Sequence, residues 1–187
     1  EWDPVRAPRE AFWSDAWSQG QDLESAFRRS AVWYYQELAR RVGGERMQRE
    51  LDELDYGNRD ISGGIDRFWL GSSLALSADE QVAVLRRIFG GETHFASEHV
   101  ALLRQLMARR EPEGVHWGHK TGACPAGDAW VGWLVGWVAD DDGRLIALFA
   151  MNLEGPDHAA IAAPRIPLAR RVLAEKGLLA PAEGPGR

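Results

Sequence analysis

The chain has 187 residues, of which 45% are apolar and 27% are charged, and its formal net charge is −6. This length and balance suit one globular domain with a single core, or the larger part of a somewhat bigger domain. The acidic charge argues against nucleic acid or a membrane surface as a partner, because both require a concentrated basic face. No apolar stretch approaches the roughly 20 residues of a membrane helix, and the one cysteine, Cys124, excludes an intrachain disulfide.

The first part of the chain is predicted to be mainly helical. Residues 1–21 are rich in Trp, Pro and Ser without a clear period, which predicts irregular structure. Asp22 is a good helix cap, and the apolar residues after it recur at helical spacing as far as residue 42, with a break near Ser30. A second short helix is predicted over residues 45–54.

A long loop is predicted over residues 55–66, which are dense in turn-forming residues. Its length makes it a functional candidate, because long ordered loops are uncommon without a role. Ser77 and Glu80 then form a capping-box pattern that begins a helix ending at the Gly90-Gly91 pair, and another helix begins at Ser97.

The pattern changes to β-structure near residue 115. Strands are predicted over residues 115–120, 130–138 and 145–153, with the last two joined across Asp142-Gly143. Residues 123–130 are expected to form a loop, residues 164–176 a closing helix, and residues 180–187 a flexible tail. This order predicts an α+β domain over residues 1–179, with helices packed on a central antiparallel sheet.

Two basic residues are candidates for binding a carboxylate. Lys120-Thr121-Gly122 offers a cation, a hydroxyl and a gap for close approach of a ligand, although such a lysine is more often only a surface residue at a strand end. Arg165 lies near the start of the last helix, where its planar fork suits a carboxylate but a solvated charge is the more common role.

Other residue types give weaker signals. Ser30 within a helical region is by default structural, whereas Trp69 carries an indole N–H that needs an acceptor if it is buried. The five histidines show no metal-ligand spacing, and His116 and His119 should point to opposite faces of a strand. No metal site and no nucleotide-binding glycine motif is predicted.

Three short motifs, taken in order, resemble those of the class D serine β-lactamases. They are Ser-x-Val at Ser30-Ala31-Val32, Tyr-Gly-Asn at Tyr56-Gly57-Asn58 and Lys-Thr-Gly at Lys120-Thr121-Gly122. The resemblance extends over residues 2–179 and implies a β-lactamase/transpeptidase-like fold. It also implies hydrolysis of penicillin-type β-lactams through an acyl-enzyme, with no metal cofactor, in a periplasmic or secreted protein.

The resemblance implies a role for each matching residue. Ser30 would relay a proton to the β-lactam nitrogen, and Lys120 would supply positive potential beside it. Thr121 and Arg165 would bind the substrate carboxylate, at a strand where Gly122 allows close approach. The backbone N–H of Ala123 would form half of the oxyanion hole.

The remaining roles concern the general base, an N-carboxylated lysine in the family. Trp69 would donate its indole N–H to that group, while Val32 and Leu70 would line its apolar pocket. The lysine belongs to the family's Ser-x-x-Lys motif, which also provides the nucleophile. Neither Lys120 nor Lys176, the only lysines here, has a serine three residues before it.

The resemblance therefore implies a missing segment upstream of Glu1 that carries the nucleophile and the first strands of the sheet. We expect the 187 residues not to fold stably without it, because the sheet would have an unpaired edge. Two alternatives to a β-lactamase stay open: a non-hydrolytic β-lactam sensor or penicillin-binding domain, and a degenerate relative that has lost the chemistry. The oligomeric state and the range of β-lactams are also open.

Overall fold

A computed structural model describes residues 1–9, 14–109 and 116–180 of the chain. The chain forms two compact units, Glu1–Ala75 and Leu76–Arg187. The described part of the first unit contains a 3-10 helix and three α-helices: Asp15–Ser18, α1 (Leu23–Arg29), α2 (Val32–Val42) and α3 (Gly44–Glu53). Among its described residues, the second contains four helices and four strands: α4 (Ala78–Phe89), α5 (Ser97–Met107), β1 (Ala108–Arg109), β2 (His116–Ala126), β3 (Ala129–Ala139), β4 (Leu145–Gly155), α6 (His158–Ala162) and α7 (Arg165–Glu175).

The predicted helix break at Ser30 is confirmed. Asp22 caps α1 in a capping box with Ser25, and α1 ends where Ser30 adopts a left-handed backbone conformation, with φ 54° and ψ 42°. The Ala31 N–H then donates to the Ala26 carbonyl at 2.9 Å, a bond that closes the helix end. The chain leaves this turn in an extended conformation at Ala31 and begins α2 at Val32.

The core of the first unit is built around two tryptophans. Trp17 and Trp33 pack with the fully buried Ala26 and Ala31. Trp17 lies in a 3-10 helix at Asp15–Ser18, where the sequence predicted irregular structure. Residues 10–13 of that predicted irregular stretch lie outside the described residues.

The loop predicted over residues 55–66 is confirmed, and it is fastened by two polar side chains. Asn58 accepts from the Ala75 N–H at 3.0 Å and donates to the Ser73 carbonyl at 2.8 Å. The Ser73 hydroxyl donates to the Asp60 carbonyl at 2.8 Å and accepts from the Gly63 N–H at 2.9 Å. These bonds give Asn58 a structural role and hold the loop against the segment that precedes α4.

The second unit is built on an antiparallel sheet with the strand order β1-β2-β3-β4. Consecutive strands pair throughout, and β2 pairs with β3 from His116↔Ala139 to Ala126↔Ala129. Trp117, Val138 and Leu173 form a core that places α7 on the sheet face to which Trp117 points. On the opposite face, Arg104 of α5 lies over the ring of Trp137, 5.0 Å from its centroid.

These observations confirm the α+β class, and two details of the prediction are wrong. Residues 123–130 are not an open loop, because β2 and β3 continue through them to a tight turn at Gly127, where φ is 60°. The sequence also missed β1 and α6, which are too short for a detectable period. The first residue of the predicted strand at 115 and the tail at 181–187 lie outside the described residues, and the single-domain boundary at 179 stays a prediction.

No helix within the described ranges is long and apolar enough to cross a membrane.

Candidate functional site

The Lys-Thr-Gly segment lies in the middle of β2 rather than at a strand end as predicted. The strand extends beyond it because β3 remains paired, with Lys120 opposite Val135 and Gly122 opposite Trp133. Alternation along a strand turns Lys120 and Thr121 to opposite faces of the sheet. Thr121 shares the face of Trp117, on which α7 packs, and Lys120 shares the face of Trp137, on which α5 packs.

Three cationic side chains donate to carbonyl groups of this strand. Nη1 of Arg165 lies 2.7 Å from the Gly122 carbonyl, and Nζ of Lys120 lies 2.7 Å from the Thr121 carbonyl. Nη2 of Arg109 lies 3.0 Å from the His119 carbonyl. A short stretch of one strand therefore carries an unusual concentration of positive charge.

Lys120 is a strongly perturbed titratable group. Burial, the Arg109 guanidinium and the Arg165 guanidinium, in that order, lower the pKa of Lys120 to about 8. Burial and neighbouring cations both disfavour the ammonium form. Lys120 can therefore exchange a proton much closer to neutral pH than an ordinary lysine can.

Arg165 is the first residue of α7, and the sequence had predicted it near the start of this helix. Burial lowers the pKa of its guanidinium, which nevertheless stays charged because the ordinary value is so high. Its Nε is buried and has no hydrogen-bond partner in the part of the chain that the structure describes. A buried donor without a partner is costly, so this group is suited to an acceptor supplied by a ligand.

Ala123 follows the motif within β2 and lies opposite Gly132. Its neighbour Cys124 is the one thiol of the chain. Burial raises the pKa of the Cys124 thiol, which makes it a poor nucleophile. Cys124 is therefore not suited to replace a missing serine.

In the first unit, two indole hydrogen bonds support the turn that contains Ser30. The indole N–H of Trp17 donates to the Arg29 carbonyl at 2.8 Å, and that of Trp33 donates to the Trp17 carbonyl at 2.9 Å. The left-handed conformation of Ser30 is uncommon for a residue other than glycine and costs of the order of 1 kcal/mol. Such strain at a polar side chain is typical of functional positions.

The other predicted residues of the first unit have less distinctive surroundings. Val32 begins α2 and is half-buried. Trp69 is also half-buried, and its ring packs edge-on against the buried Phe68 with centroids 4.9 Å apart. Leu70 follows it, with its N–H bonded to the Arg67 carbonyl at 2.9 Å.

The structure thus gathers five of the predicted residues in the second unit, namely Lys120, Thr121, Gly122, Ala123 and Arg165. Ser30, Val32, Trp69 and Leu70 belong to the first unit. His116 is exposed and His119 is buried, so this pair lies on opposite faces as predicted.

Sequence reasoning missed Arg109, Trp17 and Trp33. Arg109 belongs to a pair of consecutive arginines, a pattern that predicts solvent-exposed side chains. Only the pairing of β1 with β2 brings it to the His119 carbonyl. A buried tryptophan does signal that its N–H has an acceptor. The sequence holds no clue that the acceptor for Trp17 is the residue before Ser30.

Comparison with known proteins gives the same assignment as the motifs. Residues 5–174 match the family model described as the penicillin binding protein transpeptidase domain. The chain is 39% identical over 153 residues to the probable β-lactamase YbxI of Bacillus subtilis, a match that covers 82% of this chain and 54% of the relative. The chain spans about half the length of the curated relatives it matches.

Two solved structures show that the likeness extends to the fold. A class D β-lactamase from Nostoc superposes with a TM-score of 0.83 at 32% identity, over 89% of this chain and 70% of that one. The C-terminal domain of the BlaR penicillin receptor of Bacillus licheniformis superposes with a TM-score of 0.80 at 31% identity, over 95% of this chain and 69% of that one.

The chain belongs to the penicillin-binding protein transpeptidase domain family. Within that family its likeness is to class D β-lactamases, as the three motifs predicted. The predicted β-lactamase/transpeptidase-like fold is confirmed by the same comparisons.

Proposed function

We propose that the protein containing this chain is a class D serine β-lactamase, which opens the amide bond of penicillin-type β-lactams through an acyl-enzyme. The observation that carries the proposal is the state of Arg165. Its Nη1 is fixed on the Gly122 carbonyl at 2.7 Å, while its buried Nε has no partner among the described residues. The carboxylate of a β-lactam is an acceptor of the charge and geometry that this fork binds best.

Thr121 supports the same assignment. It lies one residue before Gly122 and on the face that α7 covers, so its hydroxyl and the Arg165 fork can bind one carboxylate together. Gly122 between them leaves room for a ligand at the strand. In this proposal Arg165 supplies charge and orientation, and Thr121 supplies a hydrogen bond.

The proton transfer is assigned to Ser30 and Lys120. When the ring opens, the C–N bond breaks and the nitrogen takes a proton, which the Ser30 hydroxyl delivers as general acid. Lys120 replenishes that proton and adds positive potential, a role that suits its pKa of about 8. The left-handed turn and the Trp17 bond keep the Ser30 backbone in one conformation.

The nucleophile is assigned to a segment outside these 187 residues, which hold no Ser-x-x-Lys sequence. Its serine would attack the β-lactam carbonyl, and the Ala123 N–H would stabilise the resulting oxyanion. Trp69, Val32 and Leu70 are assigned to the pocket of that segment's carboxylated lysine. A periplasmic or secreted location follows from the same proposal.

The first test is turnover of a chromogenic cephalosporin by the protein purified with this upstream segment. Many turnovers per molecule are expected, with Arg165→Gln lowering kcat/KM about tenfold to a hundredfold, mainly through KM. Arg165→Lys is the matched control, which keeps the charge but loses the planar fork. Its kcat/KM should lie between those of the unmodified protein and Arg165→Gln. Absence of any reaction in the unmodified protein would contradict the proposal.

A penicillin sensor is the second candidate, and the likeness to the BlaR receptor domain favours it. A sensor forms the acyl-enzyme but releases it very slowly. One equivalent of product in a burst, followed by no further turnover, would identify the sensor. No burst and no turnover would indicate a relative without the chemistry.

The sheet itself supports the existence of a complementing segment. In the described part of the chain, β4 pairs only with β3, so one edge of an 11-residue strand has no partner. A long unpaired edge favours aggregation. We predict no cooperative thermal transition for the isolated 187 residues and a sharp one when the upstream segment is co-expressed, as measured by circular dichroism. A sharp transition of the isolated chain would be the contrary result.

A further inference from the structure

The short strand β1 covers only the beginning of the outer edge of β2. It pairs Ala108 with Gly118 and Arg109 with Trp117. From His119 onward, the outer edge of β2 has no strand partner among the described residues. Arg109 thus lies at the point where the paired part of this edge ends and the Lys-Thr-Gly segment begins.

The Arg109 guanidinium is fixed by three carbonyl groups. Nη1 donates to the carbonyls of Met107 and Ala108, both at 3.0 Å, and Nη2 donates to that of His119 at 3.0 Å. The first two belong to the end of α5 and the start of β1, and the third belongs to β2. One rigid fork therefore connects the helix end to the residue that precedes Lys120.

Charge reaches Lys120 from two sides. Arg109 acts from β1 and Arg165 from α7, and each lowers the pKa of Lys120 by less than burial does. The strand β3 has no charged residue. The other titratable or charged groups on helices that contact β2 are Glu98, His99, Arg104 and His158.

We propose that Arg109 is a positioning residue for Lys120: it fixes the His119 carbonyl at the edge of β2 and sets the electrostatic environment of the adjacent ammonium group. The chemical consequence rests on the function proposed above, in which Lys120 exchanges a proton with Ser30. A lysine that is poised near neutral pH serves that exchange better than one that stays charged.

NMR of lysine offers a direct readout, because these 187 residues hold only Lys120 and Lys176, and few resonances other than those of the upstream segment are added to them. Protein labelled with ¹³C-lysine, purified with the upstream segment, is titrated by NMR, and Lys120→Arg assigns the resonance. In Arg109→Gln the pKa of Lys120 is expected to rise by about half a unit or more, because a unit charge beside it is lost. In Arg109→Lys, which keeps the charge, the pKa should stay near 8.

Two controls separate charge from disruption. Arg170→Gln removes a cation of the same unit that lies over the Trp117 ring, and it should leave the pKa of Lys120 unchanged. An unchanged pKa in Arg109→Gln would overturn the inference. An increase of the Lys120 pKa by half a unit or more in Arg109→Lys would also overturn it, because disruption of β2 rather than loss of charge would then be the cause. This second comparison can be made even if Arg109→Gln does not fold.

Turnover gives the second readout. The alkaline limb of the pH–rate profile should move upward in Arg109→Gln and stay in place in Arg109→Lys, whereas a purely structural role would lower the rate equally at all pH values. Failure of the proposed function is distinguishable, because a protein without turnover still reports the pKa of Lys120 by NMR.

Discussion

Ser30 and Lys120 are held in position in two different ways. Ser30 is set by local structure: a capped helix end, a left-handed turn and two indole hydrogen bonds that span 12 and 16 residues. Lys120 is set by a regular strand, whose carbonyls receive guanidinium groups from 10 and 43 positions away. The first arrangement is specified by neighbours in sequence, and the second exists only after the sheet has formed.

This difference predicts how each arrangement fails. A change near Ser30 should disturb one turn and leave the rest of the molecule intact. A change in the sheet around Lys120 should weaken the whole second unit, because α5 and α7 pack on the two faces of the same sheet. Variants that separate local from cooperative effects therefore test the comparison directly.

The largest effect is expected at Ser30. Ser30→Ala and Ser30→Gly both remove the proposed general acid and should lower β-lactam turnover about 100-fold or more. Their stabilities should differ, because Ala keeps the left-handed strain and Gly relieves it by about 1 kcal/mol. Thermal melts beside steady-state kinetics check both points. Turnover of Ser30→Ala within a few-fold of the unmodified protein would refute the assignment.

The next effect concerns the sheet. A Cβ added at Gly136 would lie 2.2 Å from the Gly118 carbonyl oxygen and 2.6 Å from the Phe149 ring. Because one of these atoms is backbone, Gly136→Ala should destabilise the protein by about 3 kcal/mol. Gly122→Ala is the matched control in the same sheet, since its Cβ would meet only Trp133 at 3.4 Å. Equal unfolding midpoints for the two variants would show that the close approach carries no cost.

The same contrast explains what the sequence could predict. The helix cap at Asp22, the capping box at Ser77, the break near Ser30 and a last helix with Arg165 near its start all follow from short-range patterns, and all are confirmed. Arg109 was missed, because nothing in the sequence specifies that it meets the His119 carbonyl. The extent of β2 beyond Gly122 was missed for a similar reason, since only pairing with β3 extends the strand.

A smaller effect is expected from pH. The pKa of Lys120 falls from 10.5 to about 8 on folding, so between these values the unfolded chain binds more protons than the folded protein. Burying the charged Lys120 therefore destabilises the folded state fully below pH 8. This destabilisation decreases as the pH rises from 8 to 10.5. Lys120→Met should raise Tm by roughly 2 to 5 °C at pH 7 and by much less near pH 10.5. Lys176→Met, an exposed control, should show no such pH dependence.

The smallest effect is expected at Trp17, and it tests whether the setting of Ser30 is local. Trp17→Phe removes the N–H that donates to the Arg29 carbonyl and should cost about 1 to 2 kcal/mol. Trp33→Phe removes the bond to the Trp17 carbonyl instead and should cost a similar amount. If the two bonds form one linked support, the double variant should lose less than the sum, by about 0.5 kcal/mol or more in a double-mutant cycle. Strict additivity would mean that each tryptophan supports the turn at Ser30 independently, and the idea of one linked support would then be wrong.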